Sequence, residues 1–443
     1  MSTHSIANII VASANHDDLT GFTKDLEQHN YTVLKCDDTG LDTKSKTAHP
    51  DLIVVDVSSD KFDGFAAILK IKSSPETAHI PVVALAAEKT DELYERAIEV
   101  CANDIFIHSL KIEEFIAHIQ ALLRLSTMFM ELDNRVTLAK EYNIEASNEV
   151  DVENKAPYTV LLVAPKDGDK AALTTVLDGN CNIDVCNTVF EAEDILTNGF
   201  YDACICHYDK SIHDAVLSLS ARVRNNPRLF NLPMLVMCAD KINDRMEAYR
   251  RGVTRIIDRP LNLHTLKAKL KMLVRRQRLR WALRNAIEKT KASKNSDAKT
   301  NAYSRDFFEK NLDCQIKNAH TWQKNLTVVF FSIPNIESLK VQFDTTATDH
   351  LLQQTHQWIA GLVRIEDMVA RFGDHEFCVA LPDTPVDEAQ IVMHRIAGIL
   401  SYTDFALPDV FQPISVWVET GITGLELGDD RDILIKRARH NIQ

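Results

Sequence analysis

Short apolar runs alternate with amphipathic stretches along the first two thirds of the chain. The runs at 9–12, 52–55, 82–85 and 105–107 are brief and rich in β-branched residues. Such runs are expected of strands buried on both faces of a parallel sheet, with helices between them. The alternation predicts a doubly wound α/β domain. The same pattern then returns in one register. DLIVVD ending at Asp56 matches DACICH ending at His207, IPVVALAA with Pro81 matches LPMLVMCA with Pro233, and NDIFIHS with His108 matches TRIIDRP with Arg259. Each pair is separated by 151 or 152 residues. Three anchors in one register predict two tandem copies of one fold.

Between the copies, at 125–157, a helical stretch gives way to polar EYNIEASNEVDVENKAP. A second helical stretch at 265–295, containing VRRQRLRWALRNAIEKTKASK, is read as a solvated stalk, with its leucines and Trp281 packing on a neighbour. A third α/β unit follows. The expected organisation is therefore a first domain at 1–125, a linker at 126–157, a second domain at 158–278, a helical stalk at 279–296 and a third domain at 297–443.

Composition narrows the class. A chain of 443 residues with 45% hydrophobic and 26% charged positions is long enough for two or three cored domains. No apolar run approaches the ~18 residues that cross a bilayer, and MSTHSIANII lacks a signal peptide's basic flank and apolar centre. Nine cysteines, odd in number and mostly in apolar runs, fit a reducing cytoplasm. A net charge of −13 argues against nucleic acid as a general partner, so an anionic ligand must find a local arginine cluster.

DLIVVDVSSDKFDGF around Asp56, with IPVVALAA and NDIFIHS, resembles the response-regulator receiver family, over about 9–124 and again 159–277. That resemblance implies two CheY-like, flavodoxin-like domains, each with a parallel five-stranded sheet. In the family, an acidic pair and an acceptor aspartate hold Mg²⁺, and a Thr or Ser and a Lys contact the phosphoryl group. Metal and cation offset the crowded negative charge of phosphoryl transfer. Here Ser13 and Ala14 stand at the acidic pair, Ala86 at the hydroxyl and His108 at the lysine, while Asp56 remains as a candidate phosphoacceptor. Asp17 and Asp18 are expected inside the following helix. In the second copy Ala164, Pro165, His207, Cys238 and Arg259 fill those positions, which implies an adaptor or dimerisation domain. On a strand Cys204 and Cys206 share a face and His207 takes the other, so CICH reads as core thiols rather than a metal site.

DAKTNAYSR at 297–305, LTVVFFSIPNIESLKVQFDTTATDHLL at 326–352 and ARFGDHEFCVAL at 370–381 are similar, in register, to the GGDEF family of diguanylate cyclases. The resemblance implies an α+β domain of nucleotidyl-cyclase type. In that family two GTP molecules are joined into cyclic di-GMP, with metal ions held by two carboxylates. At those positions this chain has Ser332 and His375. The signature reads Gly373-Asp374-His375-Glu376-Phe377, with Asp374 where a second glycine would let phosphate approach and Phe377 as a core residue. Lys340 replaces a guanine-reading asparagine, and Asp349 keeps the position of the other base contact. The end at Gln443 is expected to precede the family's last helix and its phosphate-binding Lys and Arg. These departures imply no catalytic residue, no metal site and no Mg²⁺.

Arg364-Ile365-Glu366-Asp367 forms an RxxD, with Arg364 nine residues before Gly373. That is where many family members bind cyclic di-GMP, and Arg395 in MHRI sits at the position of a second ligand arginine. A guanidinium fork suits guanine O6 and N7 or a phosphate, and a carboxylate suits the guanine N–H edge. The order receiver–receiver–GGDEF with a degenerate signature resembles a non-catalytic branch of these regulators. It implies a dimeric cyclic di-GMP receptor in cell-cycle signalling, cytoplasmic and at a cell pole, which recruits protein partners such as polar localisation factors or a protease adaptor. Two alternatives stand beside it: a weak cyclase using Asp374 or Glu376, and a ligand-independent scaffold. Phosphorylation at Asp56 is a third, separate switch.

Overall fold

The structure is a computed structural model that describes residues 5–15, 17, 19–150, 157–226, 228–240, 242, 244–407 and 410–443. It divides into two compact units, one of Asn8–Ser126 with Asp151–Ala282, the other of Met1–Ala7, Thr127–Val150 and Leu283–Gln443.

The first unit holds two parallel sheets. One is built from β1 (Asn8–Ala12), β2 (Thr32–Cys36), β3 (Leu52–Asp56), β4 (Val82–Ala86) and β5 (Asp104–Ile107), in the order β2-β1-β3-β4-β5. The other uses β6 (Tyr158–Val163), β7 (Cys181–Cys186), β8 (Ala203–Tyr208), β9 (Met234–Cys238) and β10 (Arg255–Asp258), in the matching order β10-β9-β8-β6-β7. The central strands β1, β3, β4, β8 and β9 are buried along their whole length. That burial explains their unbroken apolar runs. The edge strands β2 and β7 are only partly buried, with Thr32, Lys35, Asn182 and Asp184 exposed, and leave no such run in the sequence.

Two expectations are corrected in this unit. The helix after β1 begins at Thr20, so Asp17 precedes it, its backbone N–H donating to the Asn15 side chain at 3.3 Å; Asp18 lies outside the described residues. The basic helix Leu263–Lys289 is not a solvated stalk over its length. Lys269 meets Asp104 at 2.7 Å, Lys267 and Lys271 both reach Asp178, and Arg278 pairs with Asp202 at 2.7 Å. Lys269 and Arg278 are the least exposed of these cations, and a carboxylate offsets the desolvation cost of each. Trp281 is partly exposed at the surface of the chain.

A polar seam joins the two copies within this unit. Asp104 also takes Arg255, whose guanidinium donates to His118 Nδ1. An arginine can only donate, so His118 carries its proton on Nε2, which lies 3.7 Å from Glu114. Burial would raise the Glu114 carboxyl, but His118, Tyr249 and Arg245 outweigh it and hold the group down at about 2.

The second unit is built on an antiparallel sheet of β11 (Leu326–Ser332), β12 (Met368–Arg371), β13 (Glu376–Pro382) and β14 (Glu419–Gly424), in the order β12-β13-β11-β14. Alternate residues serve two cores. Val329, Phe331, Phe377 and Val379 pack with the helices Thr345–Leu362 and Val386–Ser401. Val328, Phe330, Cys378 and Ala380 pack with Arg305–Trp322 and Arg431–His440. Phe377 is fully buried, as its sequence setting led us to expect. The helix Arg431–His440 corrects the expectation of a missing last helix. Asp430 caps it by accepting from the Ile433 N–H at 2.8 Å, and Leu434, Ile435 and Ala438 bury its inner face.

Candidate functional site

In the first copy Asp56 closes β3 and is buried. Its carboxylate accepts the Ser13 hydroxyl at 2.8 Å and the Ser58 N–H at 3.0 Å, with His108 Nε2 at 3.5 Å. Ser13 thus turns a position that resembles a metal carboxylate into a hydrogen-bond donor. In the second copy His207 is buried with Nε2 on the Asp209 carboxylate at 2.9 Å. Arg259 meets Asp169, a buried carboxylate that no sequence pattern singled out, at 2.5 Å. The Cys204 and Cys206 thiols are buried 3.9 Å apart, and the neighbouring thiol together with burial pushes Cys204 well up, as befits inert core thiols.

In the third domain the signature occupies the hairpin between β12 and β13. Ser332, at the end of β11, lies opposite Glu376 across one ladder and Glu419 across the other. The turn is closed by its own groups. Phe372 and Gly373 donate N–H to the Glu376 carbonyl, and Ile333 donates to that of His375 at 2.9 Å. Arg371 donates to the carbonyls of Gly373 and Asp374. Arg439, from the last helix, donates both bonds of one nitrogen to the Glu376 carboxylate at 2.9 and 2.6 Å. A Cβ at Gly373 would come within 2.9 Å of Glu376 Oε2, the end of a side chain that would have to shift to admit it. Asp374 points to solvent and Lys340 is exposed on the helix Ile336–Phe343. Asp349 is half-buried and pairs with Lys299, at 3.0 Å, from the DAKTNAYSR segment.

Nine residues before Gly373 the chain makes a second tight turn, between the helix Thr345–Leu362 and β12. Arg364 donates its backbone N–H to Asp367 Oδ2 at 2.7 Å, and Asp367 donates its own to the Arg364 carbonyl at 3.1 Å. Asp367 is therefore buried as the cap of its turn. The Arg364 guanidinium is exposed and, among the described residues, has no hydrogen bond or ion pair. Arg395 reaches across from the helix Val386–Ser401 and donates to the Leu362 carbonyl at 2.9 Å, also exposed. The two arginines are thus gathered at one helix end, where backbone carbonyls accumulate partial negative charge. Two further groups escaped sequence reasoning. Arg439 sits where ILIKRARH shows a helical apolar pattern, which was a usable signal. Arg135, which contacts this turn from the helix Ile112–Glu141, is 230 residues from its first partner and left none.

Residues 294–443 match the family described as diguanylate cyclase, GGDEF domain. The response regulator PleD of Caulobacter vibrioides is 25% identical over 395 residues, covering 89% of this chain and 86% of PleD. The probable diguanylate cyclase DgcE of Escherichia coli is 26% identical over 118 residues, 27% of this chain and 11% of DgcE. The solved GGDEF domain of DgcB from Caulobacter crescentus, in complex with c-di-GMP, overlays with a TM-score of 0.33 at 16% identity, covering 34% of this chain and 85% of that one. Among the described residues no helix is long and apolar enough to cross a membrane. The molecule carries two parallel receiver-like sheets followed by a domain that matches the GGDEF family, and along most of its length it is similar to the response regulator PleD.

Proposed function

We propose that this chain is a non-catalytic receptor for cyclic di-GMP, with Arg364 and Arg395 as the ligand arginines and Asp367 shaping their turn. The observation that carries this reading is the contrast in how charged groups are used. At the signature, Glu376 is already engaged by Arg439. At the RxxD turn, Arg364 is exposed and unengaged. Two guanidinium groups near one another suit a ligand with two phosphates and two guanine edges.

A divalent metal of the kind that family cyclases use prefers carboxylate oxygens. The residues here offer the Ser332 hydroxyl, the His375 imidazole and a Glu376 carboxylate already spanned by a guanidinium. This donor set does not fit Mg²⁺. The receivers would act as dimerisation and docking modules for protein partners, with the liganded third domain setting whether those partners are held. The cyclase reading is favoured by the relatives themselves, since DgcE is described as a probable diguanylate cyclase. Incubation of the purified chain with GTP and Mg²⁺ or Mn²⁺ separates the two. We expect no cyclic di-GMP to form, and turnover that disappears in Glu376→Ala would overturn the non-catalytic half of the proposal. Equilibrium dialysis tests the receptor half: wild type is expected to retain cyclic di-GMP at micromolar concentration and Arg364→Ala to lose it.

A further inference from the structure

The RxxD turn is held from behind by a residue that the ligand reading does not use. On the helix Ile112–Glu141, residues 127, 131, 134, 135 and 138 recur at three- and four-residue spacings and so share one face. All of them engage the third domain. Thr127 donates its hydroxyl to Asp383 at 2.6 Å, Asn311 donates to Glu131 at 3.4 Å, Asn318 donates to Asn134 at 3.3 Å, and Leu138 packs in the core of Phe307 and Leu312. Arg135 is the centre of this face. It is 1% exposed, the largest of the fully buried side chains, and pairs with Glu131 at 3.5 Å.

Its guanidinium donates to three successive carbonyls of the turn: Ile365 at 3.2 Å, Glu366 at 2.6 Å and Asp367 at 3.2 Å. The Tyr303 ring lies 5.6 Å from its centre. A planar fork has fixed bond directions, so three consecutive acceptors on one fork define where the turn lies. Without the fork the turn would lose these three hydrogen bonds, two of them buried.

We propose that Arg135 is a positioning residue for cyclic di-GMP. This rests on the reading of Arg364–Asp367 as the ligand site.

Full-length variants test this with two readouts. Hydrogen exchange is followed first, without ligand, at the Arg364 and Asp367 amides that close the turn. Arg135→Ala is expected to speed that exchange by about tenfold or more, and to weaken cyclic di-GMP binding by about tenfold or more. Unchanged exchange overturns the proposal, and so does cyclic di-GMP binding that Arg135→Ala leaves at the wild-type affinity. If wild type binds no cyclic di-GMP, the receptor reading fails while the exchange measurement still decides whether Arg135 holds the turn. Should Arg135→Ala not fold, Arg135→Lys keeps the charge and loses the fork; faster exchange at the two amides supports the proposal and unchanged exchange contradicts it.

Discussion

Two turns flank β12, and they treat charge in opposite ways. The signature turn after it consumes its own polar groups: Arg371 is spent on carbonyls and Glu376 on Arg439. The RxxD turn before it is braced from the inside by Arg135, which leaves Arg364 facing solvent. A turn that must neutralise its own charges has little left for a ligand. A turn whose backbone is satisfied by a neighbouring element can offer its side chains outward. The difference lies less in which residues are present than in which element satisfies the backbone.

The comparison breaks most severely if the outward arginines are removed. Arg364→Ala with Arg395→Ala should lower cyclic di-GMP affinity by at least about a hundredfold, since hydrogen bonds to charged groups contribute roughly 1.5–3 kcal/mol each. Calorimetry on the double variant checks this, and an unchanged affinity would show that the ligand sits elsewhere. Next in size is Glu131→Ala, which leaves the buried Arg135 without its carboxylate. Breaking a buried pair in this way costs about 3 kcal/mol, so chemical denaturation should show a clear fall in midpoint. Burial pushes the Glu131 carboxyl up against the opposing pull of Arg135, so the milder Glu131→Gln should cost less.

Effects at the signature turn should be smaller. Arg439 is 45% exposed in its pair with Glu376, so solvent screens the interaction and Arg439→Ala should cost no more than about 1 kcal/mol. It should leave cyclic di-GMP binding alone. A gain of GTP turnover in Arg439→Ala would sharpen matters differently, by showing that the ion pair blocks an otherwise competent site. The smallest effect is expected at Asp56, where Asn keeps an oxygen to accept the Ser58 N–H and turns its amide to the Ser13 hydroxyl, which can accept as well as donate. Asp56→Asn should shift the melting temperature by only a few degrees. Incubation of wild type with a small phosphodonor and Mg²⁺ should give no labelling that the variant loses.

Legibility in the sequence followed burial. Strands covered on both faces announced themselves as apolar runs, and the offset of Asp56 to His207 exposed the doubled fold. The edge strands β2 and β7 were not visible because TVLKC and CNIDVC are only partly buried and carry polar residues among their apolar ones. The register of the third domain was readable from its motifs. The helix Arg431–His440 was misjudged from where the chain stops, although Leu434, Ile435 and Ala438 already carried a helical apolar period. The basic helix Leu263–Lys289 was read as solvated because its carboxylate partners, Asp104, Asp178 and Asp202, lie far away in sequence. Arg135 shows the same limit at the candidate site. Its function is set by three backbone carbonyls, and a carbonyl has no sequence identity.

Titration of cyclic di-GMP into the wild-type chain by calorimetry, with Arg364→Ala as its partner experiment, meets the central claim head on. Saturable micromolar binding that Arg364→Ala abolishes is the predicted result. Absence of binding to a folded wild-type protein would contradict the receptor reading, and equal binding by Arg364→Ala would move the site away from the turn.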